Sequence, residues 1–131
     1  MSAALWAAQK GLADALGAAG LPCYPSVPEK ATPPFRYVLF SELTPGKTFG
    51  QWVAHLRVVN VAKRGQNAVM DAAALTMAAQ VINAVEETAE GYALDNPAVD
   101  EPARMEVNGT PTLGVAVNVT VPVSRAAMRR A

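Results

Sequence analysis

The spacing of hydrophobic residues near the N-terminus predicts a helix, because one apolar stripe recurs every three or four positions. The stripe consists of Leu5, Gln9, Leu12, Leu16 and Ala19. Ser2 is a suitable N-cap, and Gly20, with Pro22 just beyond it, is expected to end the helix. Gly11 and Gly17 each lower the intrinsic stability of this helix by about 1 kcal/mol relative to alanine, and they would allow a neighbouring group to approach closely.

The next segment predicts an extended connector followed by a β-hairpin. Five prolines within residues 22–34 exclude a helix or a central strand there, although a short edge strand near residues 24–27 remains compatible. Residues 35–43 are rich in aromatic and β-branched side chains, which predicts a strand. Residues 44–48 contain a Pro-Gly pair that fits a type II turn, and residues 49–62 predict a longer, antiparallel partner strand.

The second strand of this hairpin is apolar on both of its faces. One face carries Trp52, Leu56 and Val58, and the other carries Val53, Val59 and Val61. An antiparallel strand with one solvated face would alternate apolar and polar residues. Part of the second face must therefore be covered, either by this chain or by another.

A second helix follows the polar turn at residues 63–66, with Asn67 as its expected N-cap. It runs from Ala68 to about Ala89, and Gly91 ends it. Its apolar stripe has helical spacing and consists of Met70, Ala74, Met77, Val81 and Ala84. Val69, Ala73 and Val85 widen the stripe. The width of the stripe predicts a helix that is largely buried.

The C-terminal third predicts a second hairpin after an irregular segment. Residues 92–102 contain two prolines and are expected to be irregular, whereas residues 103–107 predict a strand and Asn108-Gly109 a hairpin turn. Residues 113–123 alternate strictly and place five valines on one face, Val115, Val117, Val119, Val121 and Val123. The order helix–hairpin–helix–hairpin predicts one α+β domain over residues 1–131, an antiparallel or mixed sheet packed on two helices.

The composition predicts a domain whose core is thin. The chain has 131 residues, 51% of them hydrophobic, but only 6% are aromatic. Much of the apolar content is alanine and valine, which bury little area per residue, and apolar burial contributes roughly 25 cal/mol per Å². We therefore expect an isolated monomer to be marginally stable, and oligomerisation is a common remedy for such a core.

Charge is balanced over the whole chain and unevenly distributed along it. Eleven basic and eleven acidic residues cancel, which argues against a dedicated nucleic-acid-binding protein. Residues 86–106 hold seven acids and one base, a net charge of −6. A solvated acidic surface is the favoured interpretation, with five candidate residues: Glu86, Glu87, Glu90, Asp100 and Glu101.

No motif in the sequence predicts a catalytic, cofactor or metal site. His55 is the only histidine and Cys23 the only cysteine, which excludes an internal disulfide and fits a reducing compartment. The glycines do not form a phosphate-binding loop between a strand and a helix. The first 21 residues do not resemble a secretory signal, and no apolar stretch approaches the roughly 20 residues that span a bilayer. We expect a protein made in the cytoplasm, without membrane, cofactor or enzymatic activity.

Two segments are candidates for contacts with partners. The first is the hairpin turn with its flanking residues, Lys47, Phe49, Trp52 and Val53. Aromatic residues favour both interfaces and cores, so a contacting arm and a cap on the core remain equally open. The second is the basic C-terminal tail from about residue 124 to 131, with Arg125, Arg129 and Arg130. It could contact a phosphate backbone or an acidic partner, although a frayed terminus is the favoured interpretation.

The chain as a whole resembles the tail terminator proteins of long-tailed, non-contractile (siphovirus-type) bacteriophages. The resemblance is carried by the opening helix (5–16), the proline-rich connector into Phe35-Arg36-Tyr37-Val38, and the long strand (49–62). The Ala-rich helix (70–85) and the final alternating strand (113–123) complete it. Element order and length match, and the family has no short invariant signature.

This resemblance implies a virion protein that forms a hexameric ring. Such a ring caps the tail tube of the major tail tube protein, stops its polymerisation and joins it to the head-side connector or neck protein. DNA would pass through the lumen without being read, and no catalytic residues are implied. Two alternatives remain, another head–tail connector or neck subunit, and a small α+β ligand-binding or enzymatic domain that uses Cys23 or His55.

Overall fold

The helices and strands of this chain are taken from a computed structural model that describes residues 3–129, so the predicted N-cap Ser2 lies outside the described residues. The helices within this range are α1 (Ala3–Ala18), α2 (Asn67–Glu87) and α3 (Arg125–Arg129). The strands are β1 (Phe35–Pro45), β2 (Gln51–Val61), β3 (Ala93–Val99), β4 (Ala103–Val107) and β5 (Thr110–Ser124). The predicted α+β class is confirmed.

The strands form one antiparallel sheet in the order β1-β2-β5-β3, with β4 pairing with β5 beyond the end of β3. The strand with the clearest alternation, β5, lies between β2 and β3. Four of the five valines on its predicted apolar face are buried (Val115, Val117, Val119 and Val123), and Val121 is partly buried. Asn108 and Gly109 both have positive φ, of 53° and 75°, as the predicted hairpin turn between β4 and β5 requires.

The helices α1 and α2 cover one face of the sheet, which we call the helix face. Leu12 and Leu16 of α1 pack there with Ala74, Ala78 and Val81 of α2. The sheet contributes Val38, Leu56, Val58, Val115, Val117 and Val119 to the same cluster. The opposite face, which we call the open face, carries no helix among the described residues. Residues on the two faces alternate along the strands, except at the irregularities between Phe40 and Glu42 in β1 and between Leu94 and Val99 in β3.

A polar cluster is buried on the helix face between β1, β2 and α2. Arg36, 7% exposed, donates from Nε to Asn60 Oδ1 at 2.9 Å and from Nη2 to Gln80 Oε1 at 2.6 Å. Asn60 is fully buried and donates to the carbonyl oxygens of Val58 and Val115. Burial lowers the pKa of the Arg36 guanidinium, and within residues 3–129 no carboxylate pairs with it.

Two sequence-based predictions about α2 are wrong. Gln66, rather than Asn67, occupies the N-cap position, and its side chain makes no capping hydrogen bond. The helix is also less buried than predicted, because Val69 is 60% and Leu75 48% exposed. Alanine lies on both sides of this helix, so the apolar pattern overstated the width of the buried stripe. By length and composition alone α2 could cross a membrane, a criterion that core helices also meet.

The segment predicted to be irregular instead contains β3. Its pairing with β5 runs through Ala93–Thr120 and Leu94–Val119, is interrupted, and resumes at Val99–Val117. Pro97 lies in the interruption, where an edge strand tolerates a residue that lacks an N–H donor. The connector before β1 contains only one β-bridge, a parallel one between Tyr24 and Tyr37, where a short edge strand was compatible with the sequence.

The two glycines of α1, Gly11 and Gly17, should respond in opposite ways to replacement by alanine. A Cβ on Gly11 would lie 2.6 Å from Tyr92 Oη, which donates a 2.7 Å hydrogen bond to the Ala8 carbonyl, whereas a Cβ on Gly17 has no neighbour within 4 Å. Gly11→Ala should lower the free energy of unfolding by about 1–2 kcal/mol, because overpacking outweighs the gain in helix propensity. Gly17→Ala should raise it by up to about 1 kcal/mol. Urea unfolding of both variants measures the difference, and equal shifts would contradict the close contact at Gly11.

Candidate functional site

The turn between β1 and β2, residues 46–50, holds a fully exposed aromatic side chain. We call this segment the hairpin tip. It is tied by hydrogen bonds from Gly46 N to Gln51 O at 2.9 Å and from Gln51 N to Thr48 O at 3.2 Å. Gly50 has a φ of +91°, which the turn requires after Phe49, and Phe49 is 100% exposed. The turn therefore lies two residues later than predicted, and Phe49 belongs to it rather than to the strand.

The four residues predicted as a contacting arm lie in three different places. Lys47 and Phe49 are exposed on the hairpin tip. Trp52 is half-buried on the helix face, where the Arg125 guanidinium lies 4.3 Å from its ring centroid. Val53 is half-buried on the open face. Only Lys47 and Phe49 thus remain candidates for an exposed arm, while Trp52 supports the C-terminal helix.

The predicted basic tail is ordered where it is described. Ser124 Oγ accepts a 3.0 Å hydrogen bond from Ala127 N and so caps α3, which makes the prediction of a frayed terminus wrong for Arg125–Arg129. Arg125 N donates to Gly50 O at 2.7 Å, which fixes the hairpin tip to α3. Arg129 is exposed, and Arg130 lies outside the described residues.

The predicted acidic surface is divided between two parts of the molecule. Glu86, Glu87 and Glu90 are exposed around the C-terminal end of α2. Asp100 lies on the open face, where its Oδ1 accepts from Asn118 Nδ2 at 3.0 Å and its Oδ2 is 3.7 Å from Arg57. Glu101 follows it and is exposed. The −6 segment is therefore not one continuous patch.

The open face also assembles a polar chain that the sequence did not reveal. His55 Nε2 lies 2.8 Å from Thr44 Oγ1, and His55 Nδ1 lies 3.0 Å from Asp95 Oδ2. The backbone N–H of Asn96 donates to Asp95 Oδ1 at 2.8 Å, and this bond, together with His55, lowers the pKa of the Asp95 carboxyl. His55 and Asp95 are 40 positions apart in the sequence, and they meet because β2 and β3 both pair with β5.

An apolar groove lies on the open face, towards the end of the sheet far from the hairpin tip. This sheet groove has a volume of about 230 Å³ and is lined by Leu39, Val59, Ala103, Met105 and Ala116. Arg57, Asp100 and Glu101 form its polar rim. Met105 crosses from β4 to cover Gly114, and a Cβ there would meet its Sδ at 2.7 Å. The predicted second apolar face of β2 is thus covered in part by this chain and open in part.

Cys23 has the properties of an inert thiol. It is half-buried, its Sγ lies 3.6 Å from the Tyr24 carbonyl oxygen, and burial raises its pKa to about 12. The reactive thiolate is therefore scarce at neutral pH.

We expect alkylation of Cys23 by iodoacetamide at pH 8, followed by mass spectrometry, to be at least tenfold slower in the folded chain than in urea. Equal rates would contradict the burial of this thiol.

Within residues 3–129, no cluster of three or more histidine, cysteine, aspartate or glutamate side chains is placed to hold a metal ion. No protein-family model matches the sequence, and a search of curated proteins gives no match either.

Proposed function

We propose that this chain is a structural virion protein, the tail terminator of a long-tailed, non-contractile bacteriophage. Copies of the chain form a ring, with six as the expected number. The ring caps the tail tube at its head-proximal end, stops polymerisation of the major tail tube protein and joins the tube to the head-side connector. The chain acts by binding other protein chains and not as an enzyme. The α+β architecture is compatible with the resemblance on which this proposal is founded.

The observation that carries the proposal is the full exposure of Phe49 on the hairpin tip. Hydrogen bonds within the turn, and one from Arg125 N to Gly50 O, hold the tip in place. A fully exposed aromatic side chain has no stabilising role in the isolated chain, and rigid presentation lowers the entropy lost on binding. Aromatic residues are enriched at protein–protein interfaces, so the exposed ring of Phe49 favours a role in assembly.

The charge distribution supports a ring that lets DNA pass without holding it. The net charge is zero, and the exposed acidic residues at the end of α2 disfavour contact with phosphates there. Arg125, which lies over Trp52, is not available as a simple phosphate contact. Tight phosphate contacts in a lumen would slow the passage of DNA, so their scarcity is consistent with the proposed role.

Two alternatives are distinguished by experiment. Another head–tail connector or neck subunit would share the assembly surfaces and differ in its layer of the particle. An enzyme is favoured by one observation, the Thr44–His55–Asp95 chain, whose hydrogen-bond order matches that of a hydroxyl nucleophile, a general base and an orienting acid. On our proposal, Cys23→Ser and His55→Ala leave assembly unchanged, whereas loss of a hydrolytic activity in either variant would favour the enzyme.

The proposal is tested by mixing the gold-labelled chain with preformed tubes of the tail tube protein from the same phage. We expect label at one end of each tube in electron micrographs. A neck subunit would instead label connector complexes and leave tube ends bare. Label spread along the tube walls, or no label on tubes at all, would contradict the proposed function.

A further inference from the structure

The hairpin tip and the sheet groove are complementary surfaces that the same chain cannot join. Phe49 is fully exposed and thus makes no contact with the groove of its own chain. The two surfaces lie at opposite ends of β2, since a rise of about 3.3 Å per residue places Val59 roughly 26 Å along the strand from Gln51. A projecting group and a recess at separate places on one chain can meet only between copies.

The groove has the size and chemistry to receive an aromatic ring. Its volume of about 230 Å³ compares with about 150 Å³ for an aliphatic cavity that binds benzene. The walls supplied by Leu39, Val59 and Met105 are apolar, and a methionine thioether makes favourable contacts with aromatic rings. A ring moved from water into this groove would bury apolar surface on both partners.

The charges around the two surfaces are also complementary. Lys47 lies two residues from Phe49 and is exposed, and it forms no ion pair with any residue of the described range. At the rim of the groove, Asp100 is paired with Arg57, while the adjacent Glu101 is exposed and makes no ion pair within residues 3–129. A lysine beside the inserted ring would therefore meet an available carboxylate.

We propose that Phe49 of one chain inserts into the sheet groove of a second copy, with Lys47 beside Glu101 at the rim. This inference rests on the proposed assembly of copies into a ring and names the surfaces that form it. The contact is head-to-tail, because each copy donates a tip and offers a groove. Contacts of this type close into a ring when the rotation between neighbours allows it.

Native mass spectrometry over a range of protein concentrations tests the contact. Phe49→Ser should weaken self-association about 30-fold, as expected for an aromatic anchor in an interface, without changing the thermal unfolding of the monomer. Ala116→Leu, which fills part of the groove with an apolar side chain, should have a similar effect. Leu75→Ser on α2 is the matched control, an exposed apolar residue on the opposite side of the sheet, and should leave association unchanged.

Charge reversal gives the pairwise test. Lys47→Glu and Glu101→Lys should each weaken association about three- to fivefold, and the double variant should restore it, because every interface then holds both reversed charges. Additive losses in the double variant would overturn the pairing. Unchanged association in Phe49→Ser, or loss confined to Leu75→Ser, would overturn the proposed contact.

A wild-type chain that stays monomeric at every accessible concentration would also overturn this inference. That outcome differs from failure of the proposed function, which is decided separately by label at tube ends. If Phe49→Ser still labels tube ends, and if Ala116→Leu associates as tightly as the wild type, the proposed function stands and the proposed contact does not.

Discussion

Replacing Arg36 by methionine is expected to lower the free energy of unfolding by about 2–3 kcal/mol. Two effects of opposite sign compete at this position. Removing the guanidinium relieves the cost of holding a charge away from water, but it leaves the fully buried Asn60 Oδ1 without its donor. An unsatisfied buried acceptor costs about 1–3 kcal/mol, and a hydrogen bond from a charged donor contributes about 1.5–3 kcal/mol.

The loss of hydrogen bonds should dominate because the charge of Arg36 is only partly desolvated. Its Nη2 reaches Gln80, an exposed residue of α2, so the relief gained by removing the charge is small. Arg57→Met on the open face is the control, since its 3.7 Å ion pair with Asp100 is partly solvated and contributes about 1 kcal/mol or less. Urea unfolding that finds Arg36→Met as stable as the wild type would contradict the buried network.

Replacing Leu56 by alanine is expected to have the largest effect on stability, a loss of about 3 kcal/mol. Leu56 is 1% exposed in the middle of β2, and its neighbours on the helix face belong to the main apolar cluster. Leucine-to-alanine changes in such positions cost about 2–5 kcal/mol, because the lost transfer free energy adds to the cavity left behind. In a thin core built mainly of alanine and valine, few side chains can move into that cavity.

Leu75→Ala is the matched control, because the residue type is the same and the environment is different. Leu75 is 48% exposed on the outer side of α2, so its truncation should change the free energy of unfolding by about 0.5 kcal/mol or less. Thermal or urea unfolding of both variants provides the comparison. Equal losses would show that α2 is buried on both sides, as its apolar pattern alone had predicted.

Strand alternation is the part of the fold that the sequence predicted best. The valines of β5 alternate with Ala116, Asn118, Thr120 and Pro122, and the structure buries four of the five valines and part of Val121, because a period of two has only one interpretation in a sheet. The helix α2 was predicted less well. Alanine occurs on both of its sides, and the outer side also carries Val69 and Leu75, so composition could not separate the side that packs on β5 from the side that faces outwards.

The local details of turns and edges were predicted less well for identifiable reasons. The Pro-Gly pair at residues 45–46 predicted the turn, but Pro45 pairs with Trp52 and the turn is completed by Phe49-Gly50. The strand β3 was missed because its sequence contains an Asn-Pro pair, and the structure accommodates Pro97 in a gap of the ladder on an edge strand.

The polar groups on the open face could not be predicted from spacing. His55 and Asp95 are 40 positions apart, and they meet because β2 and β3 both pair with β5. The sheet groove has the same origin, since Leu39, Val59 and Met105 come from three different strands. The apolar residues on both faces of β2 predict that its second face needs a cover, and long-range pairing determines how much of that cover this chain supplies.

The central claim is that this chain acts by assembling at the end of a tail tube, and the length of growing tubes tests it most directly. The major tail tube protein of the same phage is allowed to polymerise with and without the purified chain, and tube lengths are measured by electron microscopy. The account predicts that amounts of chain well below those of the tube protein shorten the tubes and leave a ring at one end of each. Tubes of unchanged length, with the chain left in the supernatant after sedimentation, would contradict it.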